Sequence, residues 1–249
     1  MQPIAPLPPQ GRDSHRRSVL AIAENHLIAL LPRKDRTRLL ALCEPVTLTL
    51  AEVLCDPGKP VRHVYFPTDS FISLVTLLEG SPGVEVGMVG AEGMLGAELA
   101  LGVSISPLHS VVQGPGTAWR IGAAPFCGEL ARNAALKRTL DRYVYVLMAQ
   151  LADSAGCVRF HQIGPRLARW LLMSQDRAGA DNFRVTQEFL GYMLGVRRVG
   201  ITAAAGALQR GGLIGYRRGD VTILDRKALE AAACGCYAAN RKAYAAQLG

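Results

Sequence analysis

The chain has 249 residues, 49% of them hydrophobic and 19% charged, which suits one large or two ordinary packed domains and excludes an extended polar chain without a core. Its net charge of +8 is carried wholly by residues 159–249, which hold 14 Lys and Arg against 6 Asp and Glu, while residues 1–158 hold 14 of each. A basic segment of this kind calls for a polyanion, with nucleic acid and the anionic membrane surface as candidates and a merely solvated surface as the plainer reading.

No apolar run approaches the ~20 residues that span a bilayer, and the first 18 residues contain no apolar core of a secretory signal, so a cytoplasmic protein without membrane contact is expected. Cysteines at 43, 55, 127, 157, 234 and 236 are too sparse for a disulfide framework. Cys234 and Cys236 form a C-x-C pair suited to metal or redox chemistry. No second pair lies beside it in the sequence to complete a tetrahedral site, so neither metal nor cofactor is expected.

Residues 1–18, rich in Pro and charge and without period, read as a flexible arm before a helical stretch over residues 19–31. From Cys43 to about Ile121, short apolar runs such as VTLTL, HVYFPTDSFISLV and VEVGMVG alternate with turn markers including Pro57-Gly58 and Pro115-Gly116. That spacing predicts many short antiparallel strands in a sandwich or jelly-roll, giving an α+β chain whose β-rich sensor unit occupies residues 19–130.

Helical periodicity follows from about Pro125 to Cys157, with Leu136, Leu140, Tyr143, Leu147 and Leu151 recurring on one face. The stripe suits burial against the β unit or a two-fold dimer seam. The elements that follow favour the seam, and residues 131–158 are read as a dimerisation helix.

Residues 159–249 carry the chemistry. In VTQEFLGYMLGVRRVGITAAAGALQRGGLIGYRRGDVTIL, Thr186 can cap a helix that ends near Gly195, and a second helix runs from about Arg197 to Arg210 with Ile201, Ala204, Ala205 and Leu208 facing inward. Arg197 and Arg198 stand at the N-terminal end of that helix, where the macrodipole disfavours cations by ~0.3–1 kcal/mol each unless an anion is present. A recognition helix supplies that anion, because its N-terminal residues enter the major groove, where Arg bonds guanine O6 and N7. LIGYRRGDVTIL then reads as a hairpin with Arg217 and Arg218 at its tip, placed for phosphate contact.

With HVYFPTDSFISL in the β unit, TQEFLGYMLGVRR in the helix pair and LQRGGLI leading into the wing, the chain resembles the Crp/Fnr family over nearly its whole length. The resemblance implies a cyclic-nucleotide-binding-like β-roll, a long dimer helix, a winged helix-turn-helix, duplex DNA and a second subunit as partners, and RNA polymerase as a further one. Arg198 falls on the family's guanine-reading position. The usual glutamate is replaced by Val199 and a later arginine by Ala203, which implies a different target sequence in which either residue could meet a thymine methyl. Thr202 lies on the same face.

The family's ribose-binding Gly-Glu aligns with Gly93-Met94 and its phosphate-binding Arg-Ser with Pro107-Leu108, so cyclic AMP and cyclic GMP are not expected to bind in the usual mode. The first cysteine, Cys43, lies too far along the chain for the family's iron–sulfur sensor. Haem ligation by Cys55, His63 or His109 has only residue type in its favour. Two rivals remain: a protein-interaction module of this fold that no longer binds DNA, and a cupin-type metal enzyme. The scattered histidines at 15, 26, 63, 109 and 161, with no H-x-H pair, count against the enzyme.

Overall fold

The computed structural model describes residues 24–79 and 83–249. The expected N-terminal arm and the start of the helical stretch lie outside them. The first element, α1 (His26–Ala29), is capped by Asn25, whose side-chain oxygen accepts from the Leu27 and Ile28 amides. Helix α2 (Arg33–Leu40) follows.

Seven antiparallel strands then build the β-roll: β1 (Glu44–Leu48), β2 (Val53–Cys55), β3 (His63–Pro67), β4 (Phe71–Thr76), β5 (Val84–Val89), β6 (His109–Gly114) and β7 (Gly116–Gly122). They form two sheets, ordered β1-β7-β3 and β2-β6-β4-β5. Period-two alternation divides their side chains. Leu48, Tyr65, Ile72, Leu74, Val89, Val112 and Ala118 meet inside the roll. Val64, Phe66 and Ile121 face outward into a second core, and Phe71, Val75 and Met88 into a third. The continuous apolar run of β4 is therefore explained by burial on both faces.

Helix α3 (Ala123–Arg132) closes the roll, and Asn133 caps α4 (Ala134–Phe160) through its side-chain oxygen to the Leu136 amide. Leu136, Leu140 and Tyr143 pack into the core formed by Val64, Phe66 and Phe126, while Leu147 and Leu151 are half-buried. The expected dimer stripe is thus turned toward the chain's own β-roll, because the outer face of β3 and β7 needs an apolar cover. The opposite face of α4 is open: Tyr145, Met148, Ala152, Ala155 and Arg159 are exposed at alternating steps of three and four.

Helix α5 (Ile163–Ala178) begins the last unit and is buried over most of its length, with Trp170 at its centre. Strand β8 (Asn182–Arg184), helices α6 (Gln187–Leu194) and α7 (Arg198–Arg210), and the hairpin β9 (Ile214–Arg217) and β10 (Asp220–Ile223) complete a winged helix-turn-helix whose sheet runs β8-β10-β9. Two further helices were not read from the sequence. Of these, α8 (Arg226–Ala232) packs on α5, and α9 (Cys236–Leu248) leaves the winged unit to lie along α4. Leu248 is buried in the core between α4 and the β-roll, and the Tyr244 hydroxyl donates to the Glu92 carbonyl at 2.8 Å and meets His26 Nδ1 at 2.6 Å. No helix among the described residues is long and apolar enough to cross a membrane.

Candidate nucleic-acid interface

The helix-turn-helix is set by local signals. Thr186 accepts from the Phe189 amide at 3.2 Å and starts α6. Gly195, at φ 63°, ends it in the left-handed conformation that side chains resist. Close packing at the turn requires Gly191, since a Cβ there would stand 2.9 Å from the Val196 carbonyl oxygen. Thr202 braces the two helices, donating to Gln187 Oε1 at 2.6 Å; Gln187 is a positioning residue that the sequence reading did not single out. Ile201, Ala205 and Leu208 are buried, and Ala204 packs at the edge of the same core.

At the N-terminal end of α7 the outward face carries cations without an acidic partner among the described residues. Arg197, Arg198, Val199, Thr202 and Ala203 are exposed, and Val199 is 73% accessible. No acidic residue lies in the first turn and no side chain caps it. The unit's ion pairs run through Arg226, which reaches Asp176 at 2.7 Å and Glu230 at 3.1 Å, and leave the four interface arginines unpaired among the described residues.

At the wing, Arg217 stands opposite Asp220 in the strand register without an ion pair, and the turn between them places Arg218 at φ 54° and Gly219 at φ 91°. Both arginines are exposed. The Tyr216 hydroxyl donates to the Val185 carbonyl at 2.8 Å and ties the wing to the start of α6, so helix and wing are held as one surface. That surface presents a basic helix end and a basic hairpin tip, the arrangement that docks in a major groove and clasps the flanking phosphates.

The positions aligned with the family's nucleotide-binding pairs are filled rather than open. A Cβ at Gly93 would stand 2.4 Å from the Tyr143 hydroxyl, which itself donates to the Met94 carbonyl at 3.1 Å. Met94 is buried in the core under α4, whereas Leu108 packs on the interior of the roll and Pro107 is exposed, so the two pairs fall in different packing clusters. The neighbouring Ser106 hydroxyl bonds the Leu108 backbone. A cleft of about 360 Å3 opens beside this region, among β5, α4, α5 and α9, with Tyr143, Gln150, Arg177, Tyr237 and Tyr244 in its walls. Arg177 crosses its edge to pair with Glu92 at 2.6 Å.

The expectation that the C-x-C pair stands alone needs correction. The end of α4 brings Cys157 and His161 beside Cys234 and Cys236, although 77 residues separate Cys157 from Cys234.

Residues 165–232 match the Crp-like helix-turn-helix domain. No curated protein sequence matches the chain. The fold is that of solved Crp/Fnr regulators. FixK2 from Bradyrhizobium japonicum aligns with TM-score 0.64 at 14% identity, covering 77% of this chain and 98% of that one. A putative crp/fnr-family transcriptional regulator from Eubacterium rectale aligns with TM-score 0.65 at 17% identity over 84% and 98%. The c-di-GMP-responsive global regulator CLP from Xanthomonas campestris aligns with TM-score 0.63 at 16% identity over 78% and 100%.

Proposed function

From a chain with a Crp-like helix-turn-helix domain on the fold of the Crp/Fnr transcriptional regulators, we propose a sequence-specific DNA-binding regulator that acts as a homodimer on an inverted-repeat site. The observation that carries this reading is the exposed, unpaired basic end of α7, with Arg197 and Arg198 beside a bare Val199. Two cations at the positive end of a helix are disfavoured until a polyanion meets them. In the proposed complex Arg198 reads a guanine and Val199 or Ala203 touches a thymine methyl. Arg217 and Arg218 hold phosphates. Thr186 lies at the helix start, where a phosphate can also approach.

Dimerisation uses the open face of α4. Its Tyr145, Met148, Ala152, Ala155 and Arg159 repeat as the seam of a two-helix coil, and pairing them places two recognition helices one helical turn of DNA apart, ~34 Å. Such a regulator binds in the cytoplasm, where its DNA and RNA polymerase are. It is not gated by cyclic AMP or cyclic GMP in the usual mode, since the Gly93-Met94 position is occupied by Tyr143 and neither pair supplies a cation.

An enzyme of cupin type is disfavoured because the described histidines do not converge in the roll. His26 meets Tyr244, His63 stacks edgewise on Tyr65, His109 pairs with Asp56, and His161 lies at the end of α4.

The test is selection of randomised duplexes by the purified chain at two salt concentrations. An enriched inverted repeat with salt-sensitive affinity is expected. Arg198→Ala relaxes preference at one base pair of each half-site, at a cost of about 1–3 kcal/mol, whereas Arg217→Ala weakens all sequences alike. An Arg198→Ala protein with full sequence preference overturns the docking, and absence of binding at both salts favours the protein-interaction module.

A further inference from the structure

At the foot of α4, four side chains from two distant segments point at one spot. Cys157 lies in the last turn and His161 one turn later, at the C-cap. Cys234 and Cys236 flank the start of α9, and the Cys234 amide is fixed to the Pro165 carbonyl at 3.2 Å. The three Sγ atoms and a ring nitrogen of His161 all lie within 4.8 Å of one another. Cys157 Sγ and Cys234 Sγ are 3.6 Å apart, as are Cys236 Sγ and His161 Nδ1. A tetrahedron with metal–sulfur bonds of about 2.3 Å and a metal–nitrogen bond of about 2.0 Å has edges of roughly 3.5–3.8 Å, so the two 3.6 Å separations match its edges and the remaining ones, all under 4.8 Å, close to them as the ligands draw in on one ion.

A second observation points to the same place. Arg169, on α5, is buried, and its Nε and Nη1 have no hydrogen-bond partner among the described residues. A buried guanidinium without an anion is costly. Its charge falls on Cys157, Cys234 and Cys236, and on Glu85 from the sheet side, yet Glu85 forms its hydrogen bond with Ser73 instead. Three thiolates, a neutral imidazole and a divalent cation sum to one negative charge, which sets a further anion beside Arg169.

We propose that Cys157, His161, Cys234 and Cys236 bind one zinc ion that staples the end of α4 to the turn between α8 and α9. Thiolate and imidazole donors in tetrahedral array select zinc over harder cations, and four ligand atoms so close together enclose a single ion rather than an iron–sulfur cluster. The site is closed, with all four positions supplied by protein, so its role is structural. Binding releases the three thiol protons to solvent. The ion holds together the place where α4 hands over to the DNA-binding unit.

The full-length chain, stripped with chelator under reducing conditions and shown to be folded by circular dichroism, is titrated with cobalt(II) and then with zinc. One equivalent of cobalt is expected to produce the visible d–d bands and thiolate charge-transfer band of a tetrahedral cobalt thiolate, and zinc to displace it. Cys236→Ser, at a half-buried position, lowers zinc affinity by at least the roughly 10–100-fold that loss of an outer partner costs, while Cys127→Ser, on exposed α3, leaves it unchanged. A folded wild-type chain without the tetrahedral spectrum overturns the site. So does a spectrum that Cys236→Ser leaves intact.

Discussion

Arg218 holds a backbone conformation that its own β-carbon resists. At φ 54°, followed by Gly219 at φ 91°, it occupies the first left-handed position of a two-residue hairpin turn, where Asn or Gly is usual. A long cation at that position is retained at the expense of stability, which fits a tip that touches phosphate. Arg218→Asn is expected to raise the unfolding free energy by roughly 0.5–1 kcal/mol in urea denaturation. The same change is expected to weaken DNA binding and lower the slope of log affinity against log salt by about 1. Higher stability with unaltered affinity and slope would show that the wing does not reach the DNA backbone. The neighbouring Arg217 sits in ordinary strand geometry opposite Asp220, so its replacement tests charge alone.

At the scale of elements, α4 has two apolar faces with different fates. Leu136, Leu140 and Tyr143 belong to the chain's own core, whereas Tyr145 and Met148 are exposed by 59% and 63%. Leu140→Ala is therefore expected to lower stability by about 2–5 kcal/mol without changing the order of association. Tyr145→Glu combined with Met148→Glu is expected to convert dimer to monomer in sedimentation equilibrium with helicity intact. A double variant that stays dimeric would move the seam elsewhere. This is also where legibility in the sequence ended. The helix pair and wing were readable because their signals are local: Thr186 as cap, Gly195 as stop, Arg218-Gly219 as turn. Periodicity located α4 but could not say which stripe the sheet would claim, since both repeat at helical spacing. The alanine-rich α9 buries only Tyr237 and Leu248 fully and carries too thin an apolar stripe to announce itself. The cluster of Cys157, His161, Cys234 and Cys236 was invisible for another reason: only folding brings together residues 77 positions apart.

Across the whole molecule, β4 and β5 serve two cores at once, lining the roll with Ile72, Leu74 and Val89 and meeting the DNA-binding unit with Phe71, Val75 and Met88. Glu85 is buried on the second of these faces, and burial pushes its carboxyl from the ordinary 4.5 up to about 7, against the opposing pull of the Ser73 hydroxyl and of Arg169 and Arg177. The folded chain thus holds this proton more tightly than the unfolded one. Its contribution to stability is full below the ordinary carboxylate value, is lost as pH rises from 4.5 to about 7, and is level above that. Glu85→Gln is expected to remove that decline from urea midpoints measured across the window, while parallel curves for the two proteins would show that ionisation at this position costs nothing.

Helix α9 gives the molecule a further property. Because it returns from the winged unit to lay Tyr244 on the Glu92 carbonyl and Leu248 in the core beneath α4, no cut between the β-roll and the winged unit leaves two finished surfaces. A chimera joined after Phe160 would give this β-roll a foreign tail and leave bare the apolar strip that α9 covers, while the donated winged unit would carry an orphaned helix. The β-roll and the DNA-binding unit of such a chain can be exchanged as whole halves only if α9 travels with the surface it covers.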